Sequence, residues 1–104
     1  MSDKPVKIRG RAKNGVAEIK CLMPHPMETG TRKDADGAFI PAHYIETVVC
    51  KHNGKEVMTA EWGASVSKDP YFAFTVRNAQ PGDSIEVSWT DNQGQSSSGE
   101  LVLK

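Results

Sequence analysis

Five side chains in this sequence have the chemistry to hold a metal or act as nucleophiles: Cys21, Cys50, His25, His43 and His52. Thiolate and imidazole together suit zinc, iron or copper, and on a strand Cys50 and His52, being two apart, share a face. Their spacing argues against a metal centre. There is no Cys-x-x-Cys and no His pair at helical spacing, and each histidine stands alone beside a turn or a proline. An independent metal-binding or redox module is therefore the alternative reading, and no cofactor is expected. Asp34-x-Asp36-Gly37 looks like a calcium loop only superficially. With Asp34 first, Phe39 falls where glycine is required and Ile45 where the closing glutamate belongs.

Catalysis finds as little support. His25 and Glu28 could form an acid-base pair, but such a pair on a loop is more often solvated or engaged in local turn contacts. No nucleophile elbow, phosphate loop or dinucleotide fingerprint occurs, so the chain reads as non-enzymatic. The cysteines fall in strand patterns on faces marked as inward, where a free thiol behaves as a small inert hydrophobe. Two other states stay open: an intrachain disulfide, worth about 3 to 4 kcal/mol for a loop of this size, or a disulfide with a partner.

The run His25-Pro26-Met27-Glu28-Thr29-Gly30-Thr31-Arg32-Lys33-Asp34-Ala35-Asp36-Gly37 is the least generic part of the chain. Between 24 and 41 all β alternation is lost, and Pro24, Pro26, Pro41, Gly30 and Gly37 give it loop composition. A connection of this length in a compact domain is usually a binding or lid segment. Met27, Phe39 and Ile40 have no periodic face of their own to bury, and methionine suits adaptable contact surfaces. An interface with a partner is the preferred use, with His25, Met27, Glu28 and Arg32 as contact candidates. Arg9 and Arg11 are further candidates: Lys7, Arg9, Arg11 and Lys13 alternate with Val6, Ile8, Gly10 and Ala12, which on a strand sets four cations on one face. They are either a solvated, aggregation-resistant edge or a docking strip for an acidic partner or small anionic compounds.

The elements that must position these residues are all strands. Residues 6–13 run into Asn14-Gly15, the dipeptide of a type I′ hairpin, and 16–23 return with Ala17, Ile19, Cys21 and Met23 on one face. Residues 44–52 and 55–62 flank Asn53-Gly54, a second hairpin of the same kind. In 71–77, Phe72, Phe74 and Val76 point one way and mark a core strand. Pro81-Gly82-Asp83 turns into the alternation of Ile85, Val87 and Trp89, and after Asp91-Asn92-Gln93-Gly94 a last strand covers 96–103. About seven short strands with regular turns predict an all-β, immunoglobulin-like antiparallel β-sandwich. The antibody-type disulfide is excluded, because Cys21 and Cys50 are too close in sequence and no tryptophan separates them.

With 104 residues the chain is read as a single domain, 1–104, with a radius of gyration of about 13 Å if compact. Thirteen basic and thirteen acidic side chains cancel, against a nucleic-acid or membrane-surface binder. The balance is uneven: residues 1–20 hold six Lys or Arg against Asp3 and Glu18. No apolar run is long enough to span a bilayer and no secretory h-region is present.

The sequence also resembles the SoxZ family. The likeness rests on His25-Pro26-Met27-Glu28-Thr29-Gly30, Arg32-Lys33-Asp34, Gly37 and Ile40-Pro41, and continues through Asn53-Gly54-Lys55-Glu56-Val57, Pro70-Tyr71 and Trp89-Thr90-Asp91 with Gly94. It implies the small, non-catalytic subunit of the SoxYZ carrier of thiosulfate oxidation, binding SoxY in a heterodimer or higher assembly. In that family sulfur rides on a cysteine in a flexible C-terminal arm of SoxY. This chain ends Gly99-Glu100-Leu101-Val102-Leu103-Lys104, so the expected role is the companion, helping to present the arm to the oxidising enzymes. The resemblance further implies the same immunoglobulin-like sandwich and a periplasmic location, reached by co-export with a signal-bearing partner.

Overall fold

The computed structural model describes residues 5–104. Seven strands follow in order: β1 (Lys7–Lys13), β2 (Val16–Leu22), β3 (Ile45–His52), β4 (Lys55–Glu61), β5 (Tyr71–Arg77), β6 (Ser84–Asp91) and β7 (Ser96–Val102). All pairings are antiparallel, in a three-stranded sheet β1-β2-β5 and a four-stranded sheet β4-β3-β6-β7. The sandwich agrees with the alternation pattern, and the strand ends fall within a residue of the expected positions. Both hairpins carry the expected turn chemistry: Asn14 and Gly15 have φ of 55° and 78°, Asn53 and Gly54 of 51° and 83°, as a type I′ turn requires.

The core is built by residues of opposite sheets meeting face to face. Ala17, Ile19 and Cys21 of β2 lie against Val48 and Cys50 of β3 and Ile85, Val87 and Trp89 of β6, all essentially inaccessible. Strand β3 departs from period two. In its ladder with β6, Ile45 opposes Asp91 and Thr47 opposes Thr90, so Glu46 is an extra, bulged residue. Ile45 and Val48, three apart, therefore both point inward, and Asp91 is carried to the end of the core.

The two long sides of the sandwich differ. On one, β1 approaches β7: the Val6 N–H donates to the Ser98 carbonyl at 3.3 Å, and a Cβ at Gly99 would lie 2.2 Å from the Val6 carbonyl oxygen. On the other, β4 and β5 are sheet edges, with a cavity of ≈ 240 Å³ between them, lined by Val57, Met58, Phe74, Thr75, Val76 and Arg77. Phe72 and Phe74, expected to be core, are half-buried for this reason. They pack on each other at 5.3 Å, and Phe72 meets Trp62 at 5.6 Å.

The molecule is longer than a compact domain of its size. Its radius of gyration is 15.4 Å and its extents 54 × 21 × 19 Å, whereas strands of seven or eight residues reach only about 25 Å. Residues 31–39, every one exposed, supply an excursion beyond the strands. No helix is long and apolar enough to cross a membrane among the described residues.

Candidate functional site

The segment after β2 begins not as a free loop but as a clasp. The Met23 N–H donates to the Pro70 carbonyl at 3.0 Å, and His25 and Asp69 bond reciprocally: the His25 N–H to Asp69 Oδ1 and the Asp69 N–H to the His25 carbonyl, both at 2.9 Å. This directs the His25 ring inward, onto Trp89, edge to face at 4.9 Å. His43 is held two residues before β3 by a two-way backbone bridge to Glu28, at 2.7 and 3.0 Å. The β3 bulge sets Asp91 between the two imidazoles. His25 Nε2 lies 3.0 Å and His43 Nε2 2.6 Å from the same oxygen, Asp91 Oδ2. The other oxygen accepts the N–H groups of Gln93 and Gln95 at 3.0 and 2.8 Å.

Burial and hydrogen bonding together set the charge states. It pushes the His25 imidazole below its ordinary value, with His43 adding to the effect and the Asp91 bond opposing it. Burial would raise the Asp91 carboxyl, but bonds from His25, Gln95, His43 and Gln93 outweigh it and hold the group below the usual range. The result is a buried carboxylate whose two oxygens are satisfied by four N–H donors, as a buried charge requires. Among the described residues the buried Trp89 indole N–H has no hydrogen-bond acceptor.

His25, His43 and Asp91 offer ligand types that could hold a metal ion, with donor atoms within 4.8 Å of one another. The hydrogen bonding runs against that use. Met27 N–H donates to His25 Nδ1 at 3.1 Å, so Nδ1 carries the lone pair and Nε2 the proton. A histidine ligating through Nε2 needs the opposite tautomer, with its remaining N–H donated outward. The geometry is that of a structural fastener joining the long connection, the start of β3 and the end of β6. Cys21, Cys50 and His52 take no part in it. His52 Nε2 bonds Asp83 Oδ2 at 2.7 Å, and together with bonds from Gln80 and Asn53 holds the Asp83 carboxyl at about 2.

Of the contact candidates, His25 and Met27 are 4% and 6% exposed. Met27, a contact candidate in the sequence and therefore expected at the surface, belongs to the core instead. It adopts φ 50°, and its Sδ accepts the Ile45 N–H at 3.3 Å. The reason is that the clasp turns the chain back under itself, which gives an apolar side chain outside any strand a place to be buried. Glu28 and Arg32 stay at the surface as a bidentate ion pair, Nε to Oε1 at 3.1 Å and Nη2 to Oε2, and the Arg32 bonds hold the Glu28 carboxyl below its usual range.

Beyond Arg32 the chain forms a small finger. Ile40 N–H donates to the Arg32 carbonyl at 2.8 Å, Asp34 N–H to Ala38 at 2.9 Å, and Asp34 Oδ1 accepts the N–H groups of Asp36 and Ala38. Lys33 Nζ sits 5.2 Å over the ring of Phe39, which is 63% exposed. Arg9 and Arg11 are elsewhere, on the outer face of β1, and no hydrogen bond or ion pair among the described residues joins them to the clasp or finger.

Both cysteines are free and buried. Burial pushes each thiol up to about 11, with Cys50 adding to the rise at Cys21, and Cys21 Sγ–H donates to the Phe72 carbonyl at 3.3 Å. Asp91 is the residue that sequence reasoning missed. It was read as the first residue of a turn, which it also is, and only its place in Trp89-Thr90-Asp91 marked it.

A family model for "Sulphur oxidation protein SoxZ" matches residues 6–102. Comparison with curated proteins finds no match.

Proposed function

The chain belongs to the SoxZ family of sulphur oxidation proteins, and from that premise we propose that it is the non-catalytic companion of SoxY, pairing with it and helping to present the sulfur-bearing cysteine arm to the enzymes of thiosulfate oxidation. One observation carries the assignment of companion over carrier. A covalent sulfur carrier needs an exposed thiolate, and here both thiols are buried and pushed up to about 11, so neither is ionised or accessible near neutral pH. The exposed finger, with Arg32, the Glu28 pair and Phe39, offers a contact element that reaches beyond the sandwich. Its site of action is the periplasm, reached bound to a signal-bearing partner.

Co-expression with SoxY followed by native mass measurement tests the pairing; a chain that purifies alone at every stoichiometry overturns it. Turnover of the reconstituted system on thiosulfate, followed by intact mass of each subunit, tests the role. Sulfur adducts are expected on SoxY. An adduct on Cys21 or Cys50, lost together with activity on substitution, would make this chain the carrier.

A further inference from the structure

The outer side of the three-stranded sheet carries an arrangement that neither the fold nor the clasp uses. Reading across β1, β2 and β5, the rows are Lys7, Leu22 and Tyr71; Arg9, Lys20 and Ala73; Arg11, Glu18 and Thr75; Lys13, Val16 and Arg77. Six exposed cations meet one acid, so this face is +5 while the whole chain is formally neutral, leaving −5 on the remainder. Lys20 pairs with Glu18 at 3.8 Å; Lys7, Arg9, Arg11, Lys13 and Arg77 form no ion pair among the described residues. Arg9 directly opposes Lys20, and like charges across a ladder destabilise a sheet. Protecting an edge from aggregation needs only scattered charge; it does not need a second cation set against the first.

At one end of this face a recess of ≈ 310 Å³ opens, lined by Lys7, Arg9, Lys20, Cys21, Leu22 and Tyr71, with the Cys21 residue itself 1% exposed. Tyr71 is 63% exposed, so three cations surround an apolar and aromatic surface.

We propose that this face docks an acidic, extended polypeptide segment of a protein partner, with carboxylates at alternate positions along β1 and an apolar side chain in the recess against Leu22 and Tyr71. The period matches: alternate residues of an extended chain are about 6.6 Å apart, the spacing of Lys7, Arg9, Arg11 and Lys13. A small dianion matches it less well. It would meet one or two of these parallel side chains, and a hydrated anion gains nothing from Leu22 and Tyr71. The inference is independent of the pairing with SoxY, since the occupant is defined by its chemistry alone.

The test uses the full chain and labelled peptides of about eleven residues, alternating Glu and Thr with one Leu near either end in phase with the Glu residues, with binding followed by anisotropy. Affinity is expected to fall steeply between about 0.01 M and about 1 M NaCl, as the screening length shrinks from about 30 Å to about 3 Å. Arg9→Glu with Arg11→Glu should weaken binding by about tenfold or more. Arg9→Glu turns the opposition to Lys20 into an attraction while Arg11→Glu sets an acid opposite Glu18; the two offset, so the variant's thermal midpoint should hold, which separates lost docking from lost folding. Equal affinity in wild type and variant, or affinity independent of salt, overturns the proposal. So does displacement of the peptides by millimolar sulfate at matched ionic strength, which would assign the face to small anions.

Discussion

At the scale of single residues, Asp91 holds the greatest leverage, because one carboxylate satisfies donors from three separate parts of the chain. Asp91→Asn keeps the shape but removes the charge and turns one acceptor into a donor facing N–H groups. Urea unfolding should show a loss of about 1.5 to 3 kcal/mol, the range for hydrogen bonds to a charged group. His25 adds a pH dependence of definite sign. Its folded pKa lies below the ordinary 6.5, so the unfolded chain takes up the proton first. Stability is complete above about 6.5 and declines as pH falls through the folded value. Unfolding curves of wild type and His25→Gln, which retains a donor for Asp91, should diverge in slope across that window, the variant being flatter. Met27→Ala should cost about 2 to 4 kcal/mol as a core truncation. A cost under about 0.5 kcal/mol, normal for surface sites, would show that Met27 is not packed as described.

At the scale of elements, Gly99 and the finger give opposite expectations. Gly99 lets β7 pass against the Val6 carbonyl where a Cβ would lie 2.2 Å from it, and the contact is backbone, which cannot rotate away. Gly99→Ala should separate β1 from β7 and cost about 3 kcal/mol, the upper part of the overpacking range, measured by thermal or urea unfolding. The finger is the reverse case. Arg32→Ala with Phe39→Ala alters two exposed side chains at the base of the finger, so stability should change by no more than about 0.5 kcal/mol. Sulfur turnover of the reconstituted carrier should fall. A variant with wild-type turnover would remove the finger from the functional surface.

At the scale of the whole molecule, the sandwich is closed on the β1–β7 side and open between β4 and β5, where Phe72, Phe74, Met58 and Trp62 are half-buried. The closed core holds the two thiols, and their inertness is a property of that packing. Cys21→Ala with Cys50→Ala should cost a few kcal/mol, about 1 to 3 for small side chains in a packed core, and leave sulfur adducts on SoxY unchanged in an intact-mass assay. Loss of those adducts in a still-folded variant would assign the thiols a chemical role.

The sequence alone determined the strands, their hairpins and the cationic strip of β1, because each follows from local rules: period two decides which side chains share a face, and Asn-Gly supplies the two positive-φ residues of a tight reversal. The likeness of the 25–41 segment to SoxZ was equally legible, since it depends on residue types in order. Tertiary structure decided what those residues do. His25, His43 and Asp91 are separated by 18 and 48 positions, as the numbering shows, and no periodicity links them; a bulge at Glu46 and a turned-back connection bring them to one carboxylate oxygen. Met27 has no periodic face, so its burial could not be read locally. Phe72 and Phe74 alternate as core residues do, yet β5 is an edge strand beside an open gap. Strand order is a long-range outcome of packing, and it alone sets how deeply an inward-facing side chain is buried.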